Sequence, residues 1–403
     1  MTESDKDVII PNATPSLKPF SVIDPYNESN EVEGFLHMEA TQRYGALEIE
    51  KVNGRECKQF IWATPKMRYP FSKDTGSLER EIKEVPEHNK MIVFEKKDGS
   101  NIFGFIYHDT DGKEFISYKT RLMPFLKKGG SKFGDFYSMW NEMLARYPQI
   151  PELVKKYRGV SFELYGKRNP ILIQYDTPLE IAVLFSSYNG RIMEPSSMDR
   201  MDIPMPAHIM STHVDTVDDF KKAYWEVRDW LNTNLKIREE LGKGPEGEEI
   251  TRKIFSGMEG SVWYAVDLNG FIIDGVPFKC KPDEIFDICT QGTIPLHSIQ
   301  ITIRNALEQD EPLTFELVRK MLLEEFTEDR IYAKAQSIQR EIDHVLLEQK
   351  LLNEIAPEYT SKGFDINKDK GTCMRYFGQK YPKNQAAKIY TLLLRNFGGL
   401  GVK

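Results

Sequence analysis

Apolar positions along the chain recur with two different periods, and the change between them comes near residue 285. Before it, short apolar runs are set off by Gly, Asn, Asp and Ser. Met91–Phe94 and Asn101–Tyr107 predict strands, and Asp109–Gly112 predicts a turn between strands. Val160–Tyr165, Leu179–Phe185 and Ser261–Val266 predict three more. One helix interrupts this region: Phe220, Tyr224, Val227 and Leu231 stand at i, i+4, i+7 and i+11, with Thr216 and Asp219 suited to its start. The Gly-, Pro- and Glu-rich stretch Leu241–Glu249 predicts an exposed loop. Beyond residue 285, Ile338, Ile342, Val345, Leu346, Leu352 and Ile355 form a helical stripe. A last helix, Gln385–Asn396, is predicted to stop at Gly398-Gly399. Residues 1–30, scattered with Pro, Ser, Asn and Asp, predict a poorly ordered lead-in. The pattern therefore divides the chain into 1–30, a strand-rich 31–285 and a helical 286–403.

Composition narrows the class without choosing a function. The 403 residues are 40% hydrophobic and 29% charged, as in an ordinary globular protein. No apolar run reaches the roughly 18 residues needed to span a membrane, and Met1–Pro11 lacks a signal-peptide layout. An intracellular, cytoplasmic protein is expected. Cys57, Cys280, Cys289 and Cys373 are too scattered for a disulfide framework or a CxxC zinc site, so reduced thiols are expected. The seven histidines never pair at metal-ligand spacing. Any metal is expected to be an oxygen-bound, phosphate-associated Mg²⁺.

A net charge of -7 argues against indiscriminate binding of polyanions, but two local basic clusters keep nucleic acid in view. Lys119, Arg121, Lys127, Lys128 and Lys132 lie between Phe115 and Gly134 with no acid among them. From Lys362 to Lys403 nine Lys or Arg face only Asp365 and Asp369, interleaved with Tyr376, Phe377, Tyr381 and Tyr390. Bases and aromatics together suit unpaired RNA, although helical spacing favours core packing for these rings.

The string Glu95-Lys96-Lys97-Asp98-Gly99-Ser100-Asn101 ends a predicted strand. A lysine amine attacks phosphorus only when neutral, and its free pKa is near 10.4. Neighbouring cations such as Lys97, or a bound metal, would favour the neutral form. Gly99 would let the backbone turn sharply, and Asn101 could hydrogen-bond a ribose. On its own the string is weak and reads more simply as a charged turn. Four further strings follow in order. Glu163 stands in the apolar run Phe162–Gly166, Phe185 closes the next run, and Glu259 precedes Gly260 at a strand start. Lys279 and Lys281 then share one face of a strand by period two. Two like charges side by side are unfavourable unless an anion lies between them.

This ordered set resembles the motifs of covalent nucleotidyltransferases, the ligases and capping enzymes, and looks closest to phage RNA ligases of the type 1 group. The segment Ala63–Phe71 resembles the part of that group preceding the nucleophile. The resemblance spans roughly residues 60–285. It implies an α+β fold: a nucleotidyltransferase domain, ATP-grasp-like, of antiparallel sheets with flanking helices, followed by an all-α C-terminal domain. It implies an ATP-dependent RNA ligase of a phage in its bacterial host, serving RNA or tRNA repair. RNA ends bearing 5′-phosphate and 3′-hydroxyl would be its partners. Lys96 would carry AMP, with Lys279 and Lys281 on the phosphates. Lys66, Glu95, Gly99, Asn101, Glu163, Phe185 and Glu259 would surround the ATP, Tyr175 and Phe162 competing with Phe185 for the adenine. Glu163 and Glu259 would hold Mg²⁺ mostly through water, with Mn²⁺ able to substitute. Lys119 and Arg121 compete for one further role.

A DNA ligase or a GTP-dependent capping guanylyltransferase would carry the same strings. Both usually place an oligonucleotide-binding barrel after the two-lysine strand, where this chain turns helical. An inactive nucleic-acid-binding module is the alternative outside enzymes.

Overall fold

The computed structural model describes residues 17–38, 42–71, 82–127, 136–169, 171–243, 249–273, 275, 277–290, 294, 296–307, 311–323, 326, 328–382 and 385–397. The first strands are β1 (Leu17–Ile23), β2 (Glu31–His37), β3 (Leu47–Val52), β4 (Arg55–Ile61) and β5 (Lys90–Lys96). Next come β6 (Ser100–His108), β7 (Glu114–Lys119), β8 (Gly159–Tyr165), β9 (Glu180–Tyr188) and β10 (Arg191–Met193). The last are β11 (His208–Thr212), β12 (Lys236–Lys243), β13 (Glu249–Ser256), β14 (Gly260–Val266) and β15 (Phe278–Cys280). Helices α1 (Phe136–Arg146), α2 (Ile150–Tyr157) and α3 (Val217–Asn234) fall among the strands. After β15 the described elements are helical: α4 (Asp283–Thr290), α5 (Leu296–Leu307), α6 (Phe315–Leu322), α7 (Glu328–Ala333), α8 (Ala335–Ser361), α9 (Lys370–Lys380) and α10 (Ala386–Phe397).

Three antiparallel sheets build the strand-rich unit, ordered β1-β2-β3-β4, β10-β9-β8-β6-β7 and β11-β5-β14-β15, and β12 pairs β13 in a hairpin. Alternation along β5 decides what each face does. Met91 and Val93 pack with Trp263 and Phe278 against α3, which supplies Phe220, Tyr224 and Leu231. Each such side chain contributes about 1.5–3 kcal/mol on burial. Thr216 caps α3 by accepting from the Asp219 N–H. Ile92 and Phe94 look the other way and pack with Val262 and Tyr264 onto Phe185 and Ile192 of the neighbouring sheet. That second face, continued by two residues, is where Lys96 emerges.

Two stretches differ from the sequence reading. Residues 17–30 are not all lead-in: β1 pairs with β2 throughout, and the following turn is fixed by Asp24, which is fully buried. Asp24 accepts from the Ser117 and Tyr107 hydroxyls at 2.7 and 2.8 Å, a long-range anchor that local composition does not announce. Residues 1–16 lie outside the described residues. The expected loop at 241–249 belongs instead to the β12–β13 hairpin, paired from Lys236↔Ser256 to Lys243↔Glu249, with 244–248 outside the described residues.

Contacts divide the chain into one unit of 1–126 and 142–282 and another of 127–141 and 283–403. The helical unit thus takes in the start of α1 as well as everything from Asp283. In α8, Ile338, Ile342 and Val345 join an apolar cluster with α5 and α6, while Leu351, Ile355 and Tyr359 join a second with α9 and α10. Leu346, expected on the stripe, is exposed at 41% because the stripe shifts between the two clusters, and Leu351 is buried instead. The final helix covers Ala386–Phe397, and Gly398-Gly399 lie outside the described residues. Among the described residues no helix is long and apolar enough to cross a membrane.

Candidate active site

Register alone aligns the lysines. Gly260 stands opposite Lys96 and Val262 opposite Phe94, while Lys279 stands opposite Val262 on the far side of β14. Lys279 therefore shares the face of Phe94 and Lys96, and Lys281, two residues on, continues it. Glu259, just before β14, closes the group. It accepts from Lys96 Nζ at 2.6 Å on one oxygen and pairs with Lys281 Nζ at 2.9 Å on the other. The Glu259 and Lys281 side chains are 4% and 6% exposed, so this three-charge bridge is buried at Glu259 and Lys281 and opens at Lys96, which is 18% exposed. Lys279 sets its ammonium 4.4 Å from the Tyr69 ring centroid. The anion that a lysine pair needs is thus supplied to Lys281 by the protein itself.

The neighbouring sheet brings Glu163, on β8, toward the same place. Glu163 lies opposite Asn101 of β6, both projecting from one face. Asn101 donates to Ser161 Oγ (2.8 Å) and the Phe162 carbonyl (3.0 Å), while its own Oδ1 is enclosed without a donor. Ser161 also meets Thr64 Oγ1 at 2.8 Å. Glu163 feels the charges of Lys96, Glu259, Asp98 and Arg121.

Electrostatics at Lys96 run opposite to the sequence expectation. Burial alone would push the Lys96 amine down, and Lys281 adds to that, yet Glu259 and Glu163 more than offset both and hold it above its ordinary value. Glu259 is correspondingly held down to about 2 against burial, by Lys281 and Lys96. Lys97 does not supply the expected field. It pairs with Glu95 at 2.8 Å and lies over the Tyr165 and Tyr175 rings at 4.9 and 5.7 Å. Glu95 itself, next to Lys96 in β5, projects from the α3 side by alternation. Burial and the charge of Glu259 push Asp98 up to about 7 and Glu163 up to about 8.

Asp98 was singled out by no spacing, yet it fastens the turn that follows Lys96. Its Oδ2 accepts from Leu172 N (2.5 Å) and Ile173 N (2.6 Å), and its own N–H donates to the Tyr175 hydroxyl (2.8 Å). That occupies Tyr175 in the scaffold. Gly99 is required for space rather than for a left-handed turn: a Cβ there would stand 2.3 Å from the Leu164 carbonyl oxygen. Phe185 is buried in the apolar layer between the sheets, and Phe162 is fully buried on the face of β8 opposite Glu163. Lys66 is half-buried in the run whose Arg68 carbonyl accepts from Lys279 N at 3.0 Å.

Lys119 and Arg121 separate clearly. Lys119 is fully buried, its Nζ donating to the carbonyls of Gly45 (2.8 Å), Thr120 (2.8 Å) and Arg121 (3.0 Å). Burial, with the charge of Arg121, pulls its pKa well down. Arg121 is the member of the pair that acts on Glu163. Lys128 and Lys132 lie outside the described residues. In the other basic cluster Phe377 is fully buried and Tyr376, Tyr381 and Tyr390 pack against the same core. Lys380 lies over Tyr376 (4.9 Å) and Lys370 over Tyr390 (4.0 Å), so the interleaved bases and rings pair with each other.

Asp98, Glu163 and Glu259 are hard oxygen donors whose mutual repulsion a divalent cation would relieve, which fits Mg²⁺ or Mn²⁺. Among the described residues no three His, Cys, Asp or Glu are placed to ligate an ion directly.

No protein-family profile matches the chain, and no curated protein sequence does. Solved structures similar to it include two forms of an archaeal ATP-dependent RNA ligase. One has a TM-score of 0.44 and 13% identity, covering 83% of this chain and 75% of that one. The other has 0.41 and 14%, with 82% and 74% covered. A Naegleria gruberi RNA ligase mutant with ATP and Mn has a TM-score of 0.29 and 12% identity, covering 57% of this chain and 64% of that one. At these identities and TM-scores the chemistry rests on the site's geometry.

Proposed function

We propose that this chain is an ATP-dependent RNA ligase that carries AMP on Lys96. The observation that carries the reading is the buried bridge Lys96–Glu259–Lys281, facing Glu163 at the mouth of two sheets. A primary amine at a strand end, beside further cations and carboxylates, is suited to in-line displacement at phosphorus.

In the first step Glu259 gives up its hold on Lys96 and the ammonium passes its proton to water, which leaves the amine neutral. The lone pair forms an N–P bond to the α-phosphorus of ATP, and the bond to pyrophosphate breaks with its electron pair. Lys281, freed from Glu259, and Lys279 neutralise the oxygens on which charge gathers, as compact point charges. Mg²⁺ held through water by Glu163 and Glu259 would supply further positive charge to the phosphates. Asn101 offers its enclosed Oδ1 as an acceptor for a ribose hydroxyl. Lys66 and Arg121 extend the positive rim, and Phe185 forms the apolar wall for adenine. A 5′-phosphate oxygen on RNA then takes the AMP and releases the amine. Finally a 3′-hydroxyl attacks that 5′-phosphorus, its proton passing to water, and AMP departs with the electron pair of the P–O bond that breaks.

The DNA ligase and capping readings rank lower because helices, not barrel strands, follow β15 among the described residues. Intact-mass analysis after incubation with ATP and Mg²⁺ tests the proposal. Wild type is expected to gain one AMP and Lys96→Ala none. An adduct persisting in Lys96→Ala, or absent from wild type, overturns it. GTP in place of ATP separates the capping enzyme, and matched RNA and DNA ends separate the ligases.

A further inference from the structure

We infer that Ser161 and Thr64 are positioning residues that fix the Asn101 amide, so that the site selects a ribonucleotide over a deoxyribonucleotide. The inference rests on the ATP-dependent ligase reading and narrows the nucleotide that the site takes.

Hydrogen-bond direction decides which way the Asn101 amide faces. The Phe162 carbonyl, 3.0 Å away, can only accept, so the group beside it is the amide nitrogen. That nitrogen gives its second hydrogen to Ser161 Oγ at 2.8 Å. Both amide hydrogens are then used. Oδ1 is left as an acceptor, enclosed with no donor among the described residues. A buried acceptor left in this way is costly, and a ligand that brings a donor removes the cost.

Two buried hydroxyls hold the amide in this setting. Ser161 is fully buried in β8 and Thr64 is 4% exposed, with their oxygens 2.8 Å apart. Ala and Val would fill the same places without burying a polar atom. Beyond the pair itself, the side chain that this couple of hydroxyls meets is Asn101. Thr64 lies on a segment pinned on both sides. Before it, Trp62 packs beneath Gly190, where a Cβ would come within 2.9 Å of the indole. After it, the Arg68 carbonyl accepts from Lys279 N at 3.0 Å.

Position names the group that the acceptor meets. Asn101 stands opposite Glu163, Phe103 stands opposite Ser161, and Ser161 stands opposite Phe185 on its other side. Along β6, Asn101 therefore comes after the turn that follows Lys96 and before the row that Phe185 closes. A nucleotide with its α-phosphorus at Lys96 and its base against Phe185 has its sugar over Asn101. Ionised phosphate oxygens only accept, and the adenine amine lies out at the base. The donors that remain are the sugar hydroxyls. A site that hydrogen-bonds a substrate hydroxyl rejects the analogue lacking it, because its own polar group is then unpaired.

The test is a competition read by intact mass. The full chain is incubated with Mg²⁺ and equal amounts of ATP and 2′-deoxyATP, or of ATP and 3′-deoxyATP, and the two adducts are compared. Wild type is expected to favour ATP about 10- to 100-fold over at least one analogue, which identifies the hydroxyl. Ser161→Ala and Thr64→Val are each expected to lower that preference about 2- to 10-fold, and Thr64→Ser to keep it. In an Asn101→Ala background, Ser161→Ala is expected to change the preference no further, since it acts through the amide. A residue that only supported the fold would slow both nucleotides alike and leave the ratio untouched. Should Ser161→Ala unfold, shown by its thermal midpoint, the isosteric Thr64→Val decides. An unchanged ratio in the folded variants overturns the inference, as does a wild type that takes ATP and both analogues equally. A wild type that gains no adduct from any of the three would instead sink the ligase reading.

Discussion

Burial, reinforced by the charges of Glu259 and Asp98, keeps the Glu163 carboxyl protonated up to about pH 8, against an ordinary 4.5. Between those values the folded chain binds a proton that the unfolded chain has lost, so ligand-free stability falls as pH rises through this window. Glu259 works in the reverse sense. Held down to about 2, its contribution is complete above about 4.5 and is lost as pH drops toward 2. Glu163→Gln is therefore expected to stabilise the ligand-free protein at pH 8.5 by on the order of 1–3 kcal/mol, with little effect at pH 4. Thermal unfolding at the two pH values checks it, and a larger gain at pH 4 would refute it. Lys96, Glu259 and Lys281 each sit in a short string that the sequence reading took together, and the structure joins the three in one bridge. Asp98 could not be given its role, because its partners Leu172 and Ile173 lie more than 70 residues away in a stretch with no distinguishing pattern.

Among the elements, β7 ends in a lysine that works as scaffold. Three backbone carbonyls converge on Lys119 Nζ, joining the approach to β3 with the turn after β7. Lys119→Met is expected to leave those acceptors unsatisfied and cost about 2–4 kcal/mol of stability. Arg121→Ala is expected to slow AMP loading at least tenfold while shifting stability by less than about 1 kcal/mol. Denaturant unfolding and a loading time course distinguish the two, and the opposite pattern would reverse the assignment. From sequence these residues were indistinguishable, since both are basic and they stand two apart in one basic cluster. Short apolar runs exposed β5, β6, β8, β9 and β14, because each is buried along most of its length. The β12–β13 hairpin escaped this reading. Its composition reads as loop, and its register instead sets opposite charges across from each other, as with Glu239 and Lys253.

On the scale of the whole molecule, every residue of the proposed site precedes Asp283, which invites truncation there. The division of the chain argues against it. Residues 127–141 belong with the helical unit, and in α1 Phe136, Met139 and Trp140 are at most 3% exposed. The Arg304 guanidinium of α5 stands 4.4 Å from the Phe136 ring centroid. A chain ending at Pro282 is expected to leave these side chains uncovered, bind a hydrophobic dye several-fold more strongly than full-length protein and aggregate. A monodisperse truncated chain with intact AMP loading would contradict this. The change of period near residue 285 was readable, whereas the return of 127–141 to the second unit was not. That segment's apolar residues look the same whichever core they fill.

The bridge through Glu259 also sets how the resting protein behaves toward chemistry it is not meant to perform. An ammonium group has no lone pair to share, so acylating metabolites and aldehydes meet an inert Lys96. Under the proposed ligase reading such an arrangement is a safety catch: a ligand that draws the glutamate away would arm the same side chain that is then to attack it.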